Sequence, residues 1–440
     1  MRRIAVIGSG IAGLSTAWHL SAPGQDCHVT LYEAGDYLGG HTHTVDVTLP
    51  GADGQLHTQG VDTGFLVFNH RTYPELLKLF AELGVETAAS DMSFSVQAEQ
   101  GALEWSGCNL DTVFAQRSNL FSPRFLGMLR ELMRFNKRTT ELARTGSEAQ
   151  LAQSIGDFLD AEGYSDTFRR WYFLPMIGCI WSCPTAQMLQ FPIATMIRFC
   201  HNHGLLQVSD RPQWYTVTGG ARNYVEKMRP RLPDVRLHTP VQSVQRLSGG
   251  GAVVVARDGQ ARFDEVVLAC HSDQSLRLLG ADATDDERRV LGAIRYHPNR
   301  AVLHTDITQL PRRQKAWAAW NYEHAGDATT EDAGVCLHYL LNRLQPMPFQ
   351  QPVVVSLNPV RPVRAEHVLA EFDYSHPVFD RAAIDAQGRL PSIQGRRSTW
   401  FCGAWTGYGF HEDGLKSGLN VVRGLHQQWA GAGTREVVTA

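Results

Sequence analysis

The chain has 440 residues, 43% of them hydrophobic, and its 41 basic and 44 acidic side chains leave a formal net charge of −3 at pH 7. These values are typical of a globular protein with two or three compact units, and they argue against a disordered chain or a strongly basic nucleic-acid binder. No apolar run approaches the ~18 residues of a membrane-spanning helix. The eight cysteines are scattered and no signal peptide is recognised, so we expect a cytoplasmic protein with reduced thiols.

The first predicted elements are a strand, a glycine turn and a helix. Residues 3–8 (RIAVIG) predict a short buried strand, and the helix that follows reaches about Leu20. The turn between them has the spacing G-x-G-x-x-G, which allows a tight turn, close approach of a pyrophosphate and close helix–strand packing. The helix N-terminus adds unpaired N–H groups that favour an anion. We therefore predict dinucleotide binding by Gly8, Gly10, Ile11, Ala12 and Gly13.

The next stretches favour FAD over a nicotinamide cofactor. The strand HVTLYEA ends at Glu33, twenty residues past Gly13, where a carboxylate accepts hydrogen bonds from a ribose diol. Two further glycine stretches follow, in GDYLGGHTHTV and VDTGFLVFN. A longer ligand such as FAD needs these additional points of close approach. The predicted contacts are Glu33, Ala34, Gly39, Gly40, His41, Thr63, Gly64 and Phe65.

The middle of the chain alternates between strand and helix patterns. MSFSVQAE and ALEW predict the two strands of a hairpin, and residues 109–203 have a largely helical periodicity. After the glycine pair Gly219-Gly220, the stretches VRLHTPVQSVQRL, AVVVARDG and FDEVVLAC predict successive strands. Residues 291–383 again alternate between strands and helices, which predicts a second domain.

One helical segment, SPRFLGMLRELMRFNKR, predicts a basic amphipathic helix. Its apolar face would hold Phe125, Met128, Leu129 and Leu132, and its basic face Arg130, Arg134 and Lys137, with Arg124 and Arg138 at the ends. Such a helix suits reversible contact with an anionic membrane surface. The alternative is a surface helix whose apolar face packs on the protein core.

A group of cysteines and histidines raises the question of a metal site. The residues are Cys179, Cys183, Cys200, His201 and His203. Because the C-x-x-x-C spacing is loose and a proline follows the second cysteine, we interpret them as buried thiols and core histidines and predict no metal.

The last glycine-rich stretch, WFCGAWTGYGFHEDGLKSGLN, places five glycines between Gly403 and Gly418. If this segment returns to the first domain, its helix, predicted to begin near Gly414 and Leu415, can direct N–H groups at the flavin carbonyl that gains charge on reduction. We predict His411 in proton transfer or flavin hydrogen bonding, and Lys416 either stabilising reduced flavin or solvated. The acids Glu412 and Asp413 are predicted helix caps. No cysteine lies between Gly403 and Gly418, and Cys402 stands just before this loop, so we expect noncovalent FAD.

The glycine spacing resembles that of the flavin amine oxidase superfamily. This resemblance implies an α/β fold with a Rossmann-type FAD-binding domain built from residues 1–85, 215–290 and 384–440. The α+β substrate domain would comprise residues 86–214 and 291–383. By motif position, Val241 would meet adenine, and Gly403 and Trp405 would lie near the flavin. Two departures from the pattern are His41, where an arginine is common, and Ala404, where an acidic residue is common.

The whole chain further resembles the FAD domain at the N-terminus of plant cyclopropane fatty acid synthases and the stand-alone bacterial relatives of that domain. The matching stretches include VIGSGIAGL, DTGFLVFNHRTYPELLKLFAELGV, SDMSFSV, GCIWSCP, FCHNHGLLQVSDRPQW, LHTD, AWAAWNY and GYGFHEDGLKSG. The fusion implies an unsaturated or methylene-modified fatty acyl chain as the substrate, in a phospholipid for example. It also implies a lipid methyltransferase as a candidate partner.

Three hypotheses for function follow from the sequence. The first is an FAD-dependent dehydrogenase, desaturase or isomerase that acts on a fatty acyl chain of a membrane lipid, in the cytoplasm or on the inner membrane face. The second is an amine oxidase that acts on a polar amine. The third is a flavin-bearing subunit whose main role is to bind a lipid methyltransferase. We expect no nucleic-acid partner.

Overall fold

The structure is a computed structural model and describes residues 1–182, 184–206, 211–324 and 335–436. Its strands are β1 (Arg2–Ile7), β2 (Cys27–Tyr32), β3 (Thr44–Pro50), β4 (Leu56–Asp62), β5 (Phe68–Asn69), β6 (Thr87–Ser90), β7 (Phe94–Ala98), β8 (Leu103–Ser106), β9 (Trp214–Val217), β10 (Asp234–Arg236), β11 (Val241–Arg246), β12 (Ala252–Ala256), β13 (Gly259–Phe263), β14 (Glu265–Leu268), β15 (Arg295–His304), β16 (Trp320–Glu323), β17 (Cys336–Leu340), β18 (Val354–Leu357), β19 (Val368–Val378) and β20 (Thr399–Phe401).

The α-helices alternate with these strands and concentrate between β8 and β9. They are α1 (Ile11–Leu20), α2 (Pro74–Leu83), α3 (Leu110–Val113), α4 (Pro123–Thr145), α5 (Glu148–Ala152), α6 (Ile155–Ala161), α7 (Asp166–Phe168), α8 (Leu174–Trp181), α9 (Thr185–Leu189), α10 (Ile193–Asn202), α11 (Arg222–Met228), α12 (Ser272–Leu279), α13 (Asp285–Leu291), α14 (Leu341–Leu344), α15 (Arg381–Arg389) and α16 (His411–Glu436).

A parallel five-stranded sheet, in the order β10-β2-β1-β14-β20, joins distant parts of the chain. Its strands come from residues 2–32, 234–268 and 399–401, which lie in the three segments predicted for the FAD-binding domain. Parallel sheets are covered on both faces, and β1 shows this directly. Ile4 and Val6 belong to the core that contains α1 and α16, whereas Ala5 and Ile7 belong to a second core with the sheet β11-β12-β13.

A second sheet has seven strands in the order β19-β15-β18-β17-β16-β7-β8. All of its neighbouring strands are antiparallel except β16 and β7, and β7 with β8 forms the predicted hairpin. The strands come from residues 94–106 and 295–378, within the predicted substrate domain. Helix α8 packs on this sheet, and a Cβ on its Gly178 would lie only 3.2 Å from a side-chain carbon of Val335.

A small sheet, β5-β9-β6, connects the two regions. Phe68 and Asn69 pair with Tyr215 and Trp214, and residues 87–90 pair with the other side of β9. The predicted boundaries at residues 85 and 214 therefore fall within one hydrogen-bonded sheet. In the part of the chain that the structure describes, no helix combines the length and apolarity needed to cross a bilayer.

Candidate active site

A cavity of about 660 Å³ lies at the carboxyl ends of β1, β2 and β14 and extends toward the seven-stranded sheet. Residues from both ends of the chain line it, because the last segment returns beside the first in the five-stranded sheet. The predicted residues that line it are Gly8, Gly10, Ile11, Ala12, Glu33, Ala34, Gly39, Gly40, His41, Gly64, Phe65, Val241, Gly403, Trp405 and His411.

The three glycines of the first turn have different steric roles. Gly8 has φ +103°, and a Cβ there would lie 2.9 Å from the carbonyl oxygen of Ala269. A Cβ on Gly13 would lie 1.9 Å from the carbonyl oxygen of Gly8, so Gly13 permits helix–strand packing and does not itself line the cavity. Gly10 precedes α1 and has open space where a Cβ would stand. This open space would let a pyrophosphate approach the backbone at the N-terminus of α1.

Glu33 is held in place at the edge of the cavity. Its Oε2 accepts hydrogen bonds from the backbone N–H of Ser9 at 3.0 Å and from the Ser9 hydroxyl at 2.5 Å. Its Oε1 accepts from the backbone N–H of Gly35 at 2.8 Å. These bonds orient a carboxylate at the end of β2, where a ribose diol would be bound.

Thr63, predicted as a cofactor contact, does not line the cavity. It is buried, and its hydroxyl lies 2.7 Å from the hydroxyl of Tyr374 on β19. The neighbouring Gly64 does line the cavity, and a Cβ there would lie 2.2 Å from the carbonyl oxygen of His41. Thr63 therefore joins two chain segments behind the cavity wall.

Helix α16 begins at His411, three residues before the predicted start. The Asp413 carboxylate accepts hydrogen bonds from the N–H groups of Tyr408 and Phe410, both at 3.0 Å, and so closes the glycine loop. Burial raises the pKa of Asp413 to about 6.

This earlier start corrects the predicted contacts of Gly414 and Leu415. A Cβ on Gly414 would lie 2.7 Å from a methyl group of Ile11, so this glycine allows α1 and α16 to pack closely. Leu415 is buried in the core, and neither residue lines the cavity. Gly409, Phe410 and His411 line it instead.

Lys416 does not line the cavity, which corrects its predicted catalytic role. Its ammonium pairs with Glu412 at 3.1 Å, and its side chain is half exposed. The Glu412 carboxylate also accepts hydrogen bonds from the N–H groups of Glu75 and Leu76, both at 3.0 Å. Glu412 therefore caps α2 rather than its own helix, and Lys416 supports that cap.

His411 lies inside the site. Its Nε2 is 3.0 Å from the Thr42 hydroxyl and 2.8 Å from the Tyr224 hydroxyl, and its ring stacks on Phe65 with centroids 3.8 Å apart. Burial lowers the pKa of His411 to about 3. The imidazole is therefore neutral near pH 7, a form in which one ring nitrogen donates and the other accepts a hydrogen bond.

Two further histidines join His41 at the cavity, and the sequence analysis did not identify them. The ring centroid of His41 lies 6.4 Å from that of His271 and 5.5 Å from that of His376. Burial, with repulsion between the rings, lowers the pKa of His41 to about 3 and that of His376 to about 4. The buried Nε2 of His41 has no hydrogen-bond partner among the described residues. These imidazoles are therefore neutral near pH 7 and offer hydrogen-bonding groups, not the positive charge of the arginine that is common after the Gly-Gly pair.

Only one of the two missed histidines has a signal in the sequence. His271 follows the predicted strand FDEVVLAC, and residues that follow parallel strands meet at the same sheet edge as the first glycine turn. His376 comes from β19 of the other sheet, so only the tertiary structure brings it to the cavity.

The other end of the cavity is apolar. Its lining residues are Leu66, Val67, Tyr73, Met92, Phe94, Met176, Cys179, Ile180, Phe199, Leu205, Trp214, Trp320, Tyr339 and Phe410. Among the described lining residues, the one carboxylate is Glu33, which lies with the glycine turn at the opposite end. Half of these residues lie on α8, α10 and the seven-stranded sheet, and the others lie on β9 or in connecting segments.

Among the described residues, the cysteines and histidines of the helical region form no group of three metal-ligating side chains. The Nδ1 of His203 lies 2.9 Å from the carbonyl oxygen of Phe199, and burial lowers the pKa of His203 to about 4. Burial also raises the pKa of the Cys200 thiol to about 12. Cys179 is buried and lines the cavity, whereas Cys183 lies outside the described residues.

A separate buried cluster of Glu323, Cys336 and His338 lies on paired strands β16 and β17. The Nε2 of His338 is 3.0 Å from Glu323 Oε2 and 3.4 Å from the Cys336 sulfur. Burial alone would lower the pKa of His338, but Cys336 and Glu323 raise it to about 9. Arg361 also pairs with Glu323, so the cluster is a self-compensated ionic network.

Together, the glycine turn, the oriented Glu33 carboxylate, two helix N-termini and an unpaired buried histidine nitrogen fit a long anionic dinucleotide. A model of the family described as flavin containing amine oxidoreductase matches residues 11–310. The chain belongs to this family. Membership of this family confirms the prediction of a flavin-dependent oxidoreductase. FAD is the typical cofactor of the family.

Known relatives and solved structures agree with this assignment. Carotenoid phi-ring synthase of Streptomyces griseus is 27% identical over 298 residues, which cover 63% of this chain and 54% of that protein. The chain thus spans about half the length of this relative.

A CLA-producing fatty acid isomerase from P. acnes has a TM-score of 0.66 at 17% identity, covering 96% of this chain and 98% of that chain. Putrescine oxidase bound to putrescine has a TM-score of 0.63 at 14% identity, covering 97% and 99%. These similarities establish the fold and confirm the predicted α/β class.

Proposed function

We propose that this protein is an FAD-dependent oxidoreductase that acts on an unsaturated or methyl- or methylene-modified fatty acyl chain, as a dehydrogenase, desaturase or isomerase. The observation that carries the proposal is the apolar end of the cavity. A cationic amine is best bound beside a carboxylate or in an aromatic cage, whereas a fatty chain needs a long apolar space. The described lining residues there include no carboxylate, whereas seven of them are aromatic, so the missing carboxylate is the feature that favours the fatty chain over a cationic amine.

Two further points support an acyl substrate. The first is the resemblance, predicted from sequence stretches alone, to the FAD domain fused to plant cyclopropane fatty acid synthases. The fold is also that of a fatty acid isomerase, although it is equally that of putrescine oxidase. The fold therefore does not decide between lipid and amine, and the chemistry of the cavity wall carries the choice.

The residues of this chain would divide the work between cofactor and substrate. FAD, when bound, supplies the hydride-accepting chemistry. The N-terminus of α1 with Gly10 would hold the pyrophosphate, Glu33 a ribose, and the N-terminus of α16 the flavin. The apolar wall excludes water from the reacting carbon. His411, neutral and bonded to the hydroxyls of Thr42 and Tyr224, is the candidate for a hydrogen bond to the flavin or the substrate.

We also propose that FAD is held noncovalently. Cys402, the cysteine nearest the final glycine motif, is buried with its sulfur 3.9 Å from the Thr16 hydroxyl, and it does not line the cavity. Cys179 and Cys270 do line the cavity, but burial raises the pKa of both thiols, which disfavours the reactive thiolate. Acid precipitation of the loaded protein should leave a yellow supernatant and a colourless pellet. A yellow pellet would contradict noncovalent binding.

Anaerobic mixing of the FAD-loaded protein with a monounsaturated phospholipid tests the substrate class. We expect loss of the oxidised-flavin absorbance band, or a double bond moved within the acyl chain by mass spectrometry, and neither change with putrescine. Flavin reduction by the amine alone would replace the proposal with an amine oxidase. No change with either would favour a flavin-bearing partner subunit.

The variant Met92→Glu sharpens this test, because Met92 is a partly exposed residue of the apolar wall. A carboxylate there should reduce turnover of the lipid without releasing FAD. Leu56→Glu, at a site 71% exposed and outside the cavity, is the matched control.

A further inference from the structure

The structure reverses the face of α4 that is available to a partner. The sequence analysis predicted an apolar face of Phe125, Met128, Leu129 and Leu132 for membrane contact. Phe125 and Met128 are buried at 0% and 1% exposure, and the two leucines pack against the same core. The structure therefore agrees with the alternative prediction, in which this face packs on the protein core, and not with membrane contact through it.

The opposite face of α4 carries its own apolar side chains. Leu126 and Met133 are 44% and 56% exposed, and their spacing of seven residues places them two turns apart on one face. Phe121, 86% exposed, stands just before the helix. Exposed Arg130 and Lys137 occupy the same face. We call Phe121, Leu126, Arg130, Met133 and Lys137 the α4 patch.

Exposed large apolar side chains are concentrated around this patch. Of eleven such side chains among the described residues, five fall between positions 110 and 133, including Leu110 and Leu120, which precede the patch in the sequence. Scattered exposed leucines need no explanation, but a contiguous group marks an interaction surface. The segment before α4 is tied to the helix by an edge-to-face contact of Phe114 and Phe125, with centroids 5.9 Å apart.

The charge of this region is opposite to that of the chain as a whole. Residues 110–138 contain six basic and two acidic side chains, a net charge of +4, whereas the chain carries −3. Arg130 and Lys137 have no ion-pair partner in the part of the chain that the structure describes. Arg124 and Arg134 lie over the rings of Trp171 and Tyr164 at 4.7 and 4.1 Å, so aromatic stacking holds these two guanidinium groups near the patch.

We infer that the α4 patch docks on an anionic lipid surface. Apolar side chains between unpaired cations match the boundary between acyl chains and negatively charged headgroups. A nucleic acid would not need the apolar residues, and an apolar protein partner would not need the unpaired charges. Docking can be measured without turnover, so this inference does not rest on the proposed function.

The position of α4 would bring a docked membrane close to the apolar end of the cavity. Its buried face packs against α10, and Phe199 of α10 lines the apolar end of the cavity. A membrane at the patch would lie one helix layer from the place proposed for an acyl chain.

Vesicle co-sedimentation of the full chain tests the inference. We expect wild type to bind vesicles of phosphatidylglycerol and phosphatidylcholine about tenfold better than phosphatidylcholine alone. Arg130→Glu/Lys137→Glu should lose that preference, and Phe121→Ser/Leu126→Ser/Met133→Ser should weaken binding to the anionic vesicles. All five positions are exposed, so the fold should survive, which circular dichroism can check.

Matched controls change the same chemistry elsewhere. Arg389→Glu/Arg423→Glu reverses two exposed arginines, and Leu56→Ser removes an exposed leucine; both should bind as wild type does. Failure of wild type to bind anionic vesicles would overturn the inference, as would equal binding by patch and control variants. Sedimentation velocity tests whether the α4 patch binds a second copy of this chain instead. If wild type is a dimer that the triple serine variant dissociates, the inference of lipid docking is overturned.

Discussion

The two ends of the cavity are built in different ways. At the cofactor end, neighbouring backbone segments pack so closely that there is no room for a side chain at some glycines. A Cβ on Gly13, for example, would lie 1.9 Å from the carbonyl oxygen of Gly8. At the substrate end, the wall consists of large apolar side chains from helices and a second sheet. The cofactor end therefore tolerates few residue types, whereas many apolar residues could form the substrate end. Steric necessity therefore leaves a signature in the sequence, whereas apolar packing does not.

The largest expected effect comes from adding one methyl group at the cofactor end. Gly13→Ala should lower the free energy of unfolding by about 3 kcal/mol, because backbone must move to admit the Cβ. Gly127→Ala is the control, since nothing lies within 4 Å of its Cβ position in α4, and it should raise stability by up to about 1 kcal/mol. Urea unfolding measures both; equal effects would mean that the close approach is not rigid.

The next effect separates fold from cofactor binding. Gly10→Val should fold with stability within about 0.5 kcal/mol of wild type, because open space surrounds its Cβ position. It should nevertheless lose FAD affinity about 100-fold or more, because the side chain occupies the approach of the pyrophosphate. Quenching of flavin fluorescence during titration of apoprotein gives the affinity. Unchanged affinity would show that the first turn does not contact the cofactor.

The third prediction uses the buried histidine His376. Its folded-state pKa of about 4 lies below the ordinary value of 6.5, so between these pH values the unfolded chain binds a proton that the folded protein does not. The apoprotein should therefore lose stability as pH falls from 6.5 toward 4, by about 2 kcal/mol for this residue at pH 5.

A variant separates the contribution of His376 to this pH dependence from the contributions of the other buried histidines. His376→Gln should reduce the loss of unfolding free energy between pH 7 and pH 5 by about that amount. The exposed His70 serves as the control, and His70→Gln should leave the loss nearly unchanged. If both variants retain the full wild-type dependence on pH, His376 is not buried in its neutral form.

The smallest effect concerns the two residues predicted as catalytic from the sequence. His411→Ala should slow flavin reduction by the lipid about tenfold, the cost of one hydrogen-bonding group, and should retain FAD. Lys416→Ala should leave the rate unchanged, because its ammonium pairs with Glu412 outside the cavity. Stopped-flow absorbance distinguishes the two, and a slow Lys416 variant with a normal His411 variant would reverse the assignment.

Most of the cofactor end could be predicted from local sequence. The turn at Gly8 and Gly10 and the acid Glu33 lie at fixed spacings along one strand–helix–strand unit, so short-range geometry determines their meeting. The start of α16 was misplaced by three residues because Asp413 caps the loop from inside the helix. Gly414 was then assigned to the cofactor, although it serves contact with Ile11.

The sequence by itself determined the nucleotide-binding unit, the flavin family and the existence of a basic amphipathic helix, since each rests on a local period or spacing. Only the tertiary structure decided that His376 reaches the cavity, because β19 belongs to another sheet. It also decided which side of α4 is buried. Apolar residues occur on both sides of that helix, and hydrophobic burial has no direction of its own, so the neighbouring helix α10 sets which side packs inward and which side faces solvent.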